Sequence, residues 1–267
     1  MGLRNFDRRD FPTDVLAEAK GGRCVSVCLP AKDEQDTVGT IVERICGLAV
    51  VDEVLVVDDG STDATFAFAA SAGATVVRTG EVLPDWGPGT GKGEALWTAV
   101  AAAKGELLVF CDADLRDFDP SFVTGLLGPL LTDATIGFVK GTYERPHDGG
   151  RVTELVARPL VSVLFPHLAG FGQPLGGEFA GTRAVLELVP FVQGYGVDLA
   201  LLVDVAAGIG LDAMAQVDLG RRVHRNRPLS ELRPQAEAVL RAALHRAGLS
   251  SEPIAQRPPL SHLSENP

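Results

Sequence analysis

Short apolar runs alternate with longer stretches of helical periodicity through the first half of the chain. Residues 24–29 form an apolar block stopped by Pro30, the length and ending of a buried strand. Behind it Val38, Ile41, Val42, Ile45 and Leu48 recur at three- and four-residue steps, which predicts a helix with one buried face, and Asp36 is placed to cap it. Residues 54–57 predict a second strand. Thr62 and Asp63 open an Ala- and Phe-rich helix closing near Gly73, and 74–78 predict a third strand. Residues 80–93 hold five glycines and two prolines, so they form a loop of special backbone geometry. A helix follows over 93–104, then a fourth strand over 106–111 that ends in Asp112-Ala113-Asp114.

Pro120 opens a further helix, and 136–143 reads as another strand. Residues 145–150 read as a mobile loop leading into a helix of about fifteen residues from Thr153, with a kink or break expected at Pro159. Residues 174–182 read as extended, 197–207 as helical, 214–219 as a final strand and 230–247 as a surface helix. The polar, Pro-rich stretch 250–267 predicts a disordered tail. The βαβα order of the first half predicts an α/β fold with a doubly wound, mostly parallel sheet.

Composition narrows the function classes. The length of 267 residues suits one large α/β domain, and no apolar stretch approaches the ~18–20 residues that span a bilayer, so the chain reads as soluble. The charged N-terminus has no room for a secretory apolar core, and Met1-Gly2 lacks the Ser or Thr at position 6 that acylation favours; a cytoplasmic location is expected. A net charge of −11 argues against general nucleic-acid affinity. Within that acidic chain, Arg221, Arg222, Arg225 and Arg227 cluster around His224, either a solvated loop or a pocket for a small anion. Cys24, Cys28, Cys46 and Cys111 sit in or beside apolar segments without metal-type pairing and read as buried, reduced thiols.

Candidate chemistry sits at two acidic strand ends. Asp112 and Asp114 leave the fourth strand where α/β proteins bind ligands; hard carboxylate oxygens there suit Mg²⁺ or Mn²⁺ on a diphosphate, the alternative being a solvated turn. Asp58, ending the second strand before Gly60, can accept from a base imide or ribose hydroxyl, or the string can be a plain turn capped by Ser61 or Asp63. Gly89-Thr-Gly-Lys-Gly93 offers backbone amides and Lys92 to a phosphate, or is an exposed loop; its glycine spacing and Gly93 after the lysine exclude a Walker A loop.

Together, Pro30-Ala-Lys-Asp-Glu34, Val56-Val-Asp-Asp-Gly-Ser-Thr-Asp63, Gly89 to Leu96 and Cys111-Asp-Ala-Asp114 resemble the nucleotide-binding half of family-2-like, GT-A-fold glycosyltransferases. Gly150-Arg-Val-Thr153, Leu175-Gly-Gly-Glu178, Tyr195-Gly-Val-Asp198 and His224-Arg-Asn226 are similar to the glucosyl-3-phosphoglycerate synthase family, whose members are retaining enzymes. The resemblance implies a GT-A fold, Rossmann-like, with a C-terminal acceptor-binding subregion. It divides the chain into an N-terminal extension (1–22), a nucleotide-sugar-binding half (23–145), an acceptor-binding half of the same domain (146–248) and a flexible tail (249–267).

By that resemblance Pro30, Ala31, Glu34 and Asp58 hold uridine, Lys92 approaches the nucleotide, and Asp114 with His224 hold Mg²⁺ or Mn²⁺ on the diphosphate, with Asp112 near the ribose or donor sugar. Gly150, Arg151, Thr153 and Asn226 fall on the acceptor contacts, Arg supplying bidentate contacts to oxyanions. Glu178 and Asp198 are the available acids, assigned to orienting the sugar. The implied activity is metal-dependent, retaining transfer of glucose from UDP-glucose to the 2-hydroxyl of 3-phosphoglycerate by a homodimer that takes neither nucleic acid nor membrane as partner. The chain departs from the family pattern at Asp33, where Asn is usual, at Lys32, where an apolar residue is usual, and at Asp198, where Glu is usual. Alternatives are a mannosyl-3-phosphoglycerate synthase using GDP-mannose, another anionic acceptor, a nucleotidyltransferase, and a nucleotide-sugar sensor without turnover.

Overall fold

In the computed structural model, which describes residues 2–145, 150–222 and 229–265, the predicted alternation becomes β1 (Arg4–Asp7), α1 (Thr13–Lys20), β2 (Val25–Ala31), α2 (Val38–Cys46), β3 (Glu53–Asp58), α3 (Thr65–Ser71) and β4 (Thr75–Arg78). Then follow α4 (Gly91–Ala102), β5 (Leu107–Phe110), α5 (Ser121–Thr132), β6 (Phe138–Glu144), α6 (Arg158–Leu164), β7 (Phe179–Thr182) and α7 (Arg183–Leu186). The chain continues through β8 (Phe191–Val192), α8 (Val197–Ile209), β9 (Met214–Arg221), α9 (Leu229–Arg246) and β10 (Gln256–Arg257).

The main sheet has the order β1-β9-β6-β7-β5-β2-β3-β4. Strand β7 runs antiparallel to both β5 and β6; the remaining pairings are parallel. The central strands read as unbroken apolar runs because both faces are covered. Val27, Val56 and Val109 point into one core with α1, α2 and α5, whereas Cys28, Leu55 and Phe110 point into the other with α4 and α8. From β2 the order runs outward to β3 and β4 on one side and to β5 on the other, so a crevice opens at the carboxyl ends of β2 and β5. The Asp112-Ala113-Asp114 strand end therefore sits at the switch point of the sheet.

Several local expectations are corrected. Asp36 does not cap α2: Thr37 occupies the N-cap without a side-chain cap bond, and its hydroxyl donates instead to Ala113 O at 2.6 Å, tying α2 to the Asp-Ala-Asp turn. Residues 1–22, read as an extension, supply β1, which pairs in parallel with β9 from Arg4 opposite Ala215 to Asp7 opposite Asp218. Strand β9 is not the final strand, and the described residues 250–265 are not a disordered tail: β10 pairs antiparallel with β8, and a 3-10 turn runs over Leu260–Glu265. Around Pro159 the chain stays helical from residue 151 to 164, through a π-helical turn at Thr153–Ala157 where Arg158 N–H reaches Thr153 O. The wider turn accommodates a ring that would collide with an α-helical carbonyl. Of the cysteines, all free, Cys28 and Cys111 are buried, Cys24 is half-buried and Cys46 is exposed. The loop expected over 145–150 falls largely outside the described residues.

Candidate active site

A cavity of about 610 Å³ occupies the crevice. Pro30, Ala31 and Glu34, leaving β2, form one wall, and Asp112 and Asp114, leaving β5, form the floor. Lys92, in the first turn of α4, closes the third side together with Tyr195. The β2 and β3 exits are stitched to each other: Asp33 N–H donates to Ser61 Oγ at 3.0 Å, and Asp33 Oδ1 accepts from Thr62 N–H at 2.8 Å. Asp33 has φ 55°, a left-handed conformation that Asp and Asn tolerate better than most L-residues. Asp is therefore a residue the backbone accepts at this position.

The floor is an ion-pair chain. Lys92 Nζ lies 3.2 Å from Asp112 Oδ1 and 3.1 Å from Asp198 Oδ2. Asp112 Oδ2 accepts from Arg222 Nη2 at 3.0 Å, and the same guanidinium pairs with Glu178 and lies 3.8 Å from Asp114 Oδ1. Arg222 also donates to the Tyr143 hydroxyl at 3.2 Å, which accepts from Arg145 at 3.0 Å. Tyr143 and Arg145 line a second, polar hollow of about 530 Å³, so the two depressions share one hydrogen-bonded wall. Gly177 permits the close fit: a Cβ there would lie 2.0 Å from Asp112 Oδ1.

Burial sets the protonation states. It pushes the Glu178 carboxyl up to about 7 against the opposing pull of Arg222, and it raises Asp198. Burial brings the Lys140 ammonium down to about 8. That ammonium donates to Gly176 O at 2.7 Å and lies 5.5 Å over the Phe179 ring, holding the Gly176-Gly177 turn against Asp112. For Lys92 burial works the other way from the net result: Asp112 and Asp198 outweigh it and keep the ammonium charged.

The sequence candidates are distributed unequally. Pro30, Ala31, Glu34, Lys92, Asp112 and Asp114 meet at the cavity, with Asp198 behind Lys92. Asp58 lies under the turn, accepting from Ser61 N–H at 2.9 Å, while Asp59 takes the place on the wall. Glu178 is fully buried behind Arg222 rather than on the wall. Thr153 is buried in the π-helical turn, Arg151 is half-buried at the head of that helix, and Gly150 precedes it at φ 75°. His224 and Asn226 lie outside the described residues. Arg222 was visible in the sequence only as one member of the cationic island. Lys140 has its own signal in the sequence, a lone charge inside an apolar strand.

For a divalent cation the donor chemistry fits. Lys92 and Arg222 hold both oxygens of Asp112 at 3.2 and 3.0 Å, and Arg222 lies 3.8 Å from Asp114, whose side chain is 35% exposed and lines the cavity with hard oxygen. Among the described residues there is no group of three His, Cys, Asp or Glu that could hold a metal. Of the described acids on the cavity floor, Asp114 is the one whose side-chain exposure would let it meet a cation.

The description Glycosyl transferase family 2 belongs to a family model that matches residues 26–193. The chain is 49% identical over 261 residues to the glucosyl-3-phosphoglycerate synthase of Mycolicibacterium smegmatis, covering 94% of this chain and 86% of that protein. A crystal structure of glucosyl-3-phosphoglycerate synthase from Mycobacterium tuberculosis in complex with Mn²⁺, UDP-glucose and phosphoglyceric acid superposes with a TM-score of 0.92 at 42% identity, covering 98% of this chain and 99% of that one. The mannosyl-3-phosphoglycerate synthase of Rubrobacter xylanophilus superposes with a TM-score of 0.93 at 37% identity, covering 97% of each chain.

Proposed function

Because the chain belongs to glycosyl transferase family 2, within the group of glucosyl-3-phosphoglycerate synthases, we propose that it transfers glucose from UDP-glucose to the 2-hydroxyl of 3-phosphoglycerate with retention at the anomeric carbon. The observation that carries the reading is the cavity at the sheet's switch point, where Lys92, Asp112 and Asp114 converge at the end of a nucleotide-sized crevice.

In this reading the β2 exit from Pro30 to Glu34 receives the uridine, with Asp59 alongside. A bound Mg²⁺ or Mn²⁺ supplies charge neutralisation on the departing UDP, and Asp114 and His224 are the residues that would hold it. Lys92, kept protonated by Asp112 and Asp198, offers a fixed ammonium to the donor, while Asp198 and Asp112 present oxygens to sugar and ribose hydroxyls. Arg222 fixes Asp112, and Glu178 acts on the site through Arg222. Arg151, Thr153, Gly150 and Asn226 receive the acceptor's phosphate and carboxylate, holding its hydroxyl near the anomeric carbon. The enzyme works in the cytoplasm, as a homodimer; Leu155 and Val163, 74% and 77% exposed on the 151–164 helical segment, are apolar surface suited to a second copy.

The mannosyl-transferring relative makes donor choice the point to test. With Mg²⁺ and 3-phosphoglycerate, kcat/KM for UDP-glucose should exceed that for GDP-mannose by at least about tenfold. Preference for GDP-mannose would move the assignment to mannosyl transfer, and pyrophosphate released when UTP and a sugar phosphate are supplied instead would move it to nucleotidyl transfer.

A further inference from the structure

Arg257 lies in a segment with the composition of a free tail, yet it is only 6% exposed. Its guanidinium forms a two-point pair with Glu94 of α4, Nε to Oε2 at 2.6 Å and Nη2 to Oε1 at 2.9 Å. The same group donates to the carbonyls of Trp86 at 2.6 Å and Gly87 at 2.8 Å, and it lies 5.0 Å over the Trp97 ring. One planar fork is thus shared between a helix and the loop that enters it, an arrangement an ammonium could not reproduce.

The backbone around Arg257 is tied to the same place. Trp97 Nε1 donates to Pro258 O at 2.9 Å, Gln193 N–H donates to Ala255 O at 2.9 Å, and β10 pairs with β8. Strand β8 and the residue that follows Gln193 then press on the glycine-rich loop: Gly194 N–H donates to Thr90 O at 3.2 Å, and a Cβ on Gly93 would lie 1.8 Å from Val192 O. Segment 86–93 is therefore held from its loop side by Arg257 and from its helix side by the β8–β10 ribbon. The only long polar side chain that segment sends to the cavity floor is Lys92, which reaches Asp112 and Asp198.

We infer that residues 255–258 form a strap and that Arg257 is a positioning residue for the nucleotide-sugar donor: by fixing segment 86–93 it aims Lys92 into the cavity, without touching the ligand. The inference rests on the reading of Lys92 as a donor-binding residue.

Its test compares Arg257→Gln, Arg257→Lys, Glu94→Gln and the double variant R257Q/E94Q in the full chain, by amide hydrogen exchange and by steady-state kinetics. Exchange over 86–93 should quicken by about tenfold or more in R257Q and in E94Q while β2 and β3 keep their protection. KM for UDP-glucose should rise about fivefold or more, with KM for 3-phosphoglycerate within about twofold of wild type. R257K should fall between wild type and R257Q, and the double variant should be no worse than the poorer single one, because the two residues act as one unit. Unchanged exchange, faster exchange with an unmoved KM for UDP-glucose, or a parallel rise of both KM values each overturns the inference. Should R257Q not fold, E94Q carries the same readings with the carbonyl contacts of Arg257 kept. The exchange measurement needs no substrate, so a wild-type protein that does not turn over UDP-glucose sinks the functional reading alone.

Discussion

Arg222 and Glu178 show how single residues set the character of the floor. A carboxyl with no exposed surface keeps its proton to about pH 7 even beside a guanidinium, because desolvation outweighs the attraction. Between its ordinary value of 4.5 and about 7, the folded protein holds a proton there that the unfolded chain has released. That contribution to stability is complete below the ordinary value and is lost as pH rises through about 7. Glu178→Gln fixes the neutral form. With metal chelated, its stability should fall less steeply than that of wild type across this window, by up to about 1.4 kcal/mol per pH unit in denaturant titrations. Parallel pH profiles for the two proteins would contradict the assignment.

At the scale of elements, Gly89, Gly91 and Gly93 around the start of α4 are explained by what packs on them. Gly93→Ala drives a methyl into the carbonyl of Val192 and should cost about 2–3 kcal/mol in urea unfolding. Gly208→Ala, near the exposed end of α8 with nothing within 4 Å of the added Cβ, should stabilise by about 0.5–1 kcal/mol. Equal effects of the two would mean that β8 does not press on the loop. The sequence displayed glycine and lysine at this place but not the reason for so many glycines, because β8 and β10 have two residues each and no periodicity to read. Strands β2, β3 and β5 were legible for the opposite reason, being apolar on both faces. Arg257 was illegible because the partner that buries it, Glu94, stands 163 positions away. Asp58 and Asp59 differ by one place in the chain, and only the path of the backbone after β3 decides which carboxylate meets the cavity.

For the whole molecule, a chain of net charge −11 acting on two anionic substrates needs its positive groups gathered where those substrates meet, and Lys92 and Arg222 meet that need beside Asp112. The homodimer proposed for this chain would draw on the opposite surface chemistry. For the proposed homodimer, Leu155→Glu with Val163→Glu should give a monomer in sedimentation with a thermal midpoint close to wild type, and a wild-type protein that is itself monomeric would refute the proposal. An unchanged dimer would place the interface elsewhere. Proton NMR of the product formed from UDP-glucose, 3-phosphoglycerate and Mg²⁺ decides whether Asp114 at the switch point serves metal-dependent glucosyl transfer. An α-glucoside on the 2-oxygen of 3-phosphoglycerate is expected, with product formation reduced at least about 10³-fold by Asp114→Asn. A β-glucoside, or an Asp114→Asn protein as active as wild type, would contradict the proposal.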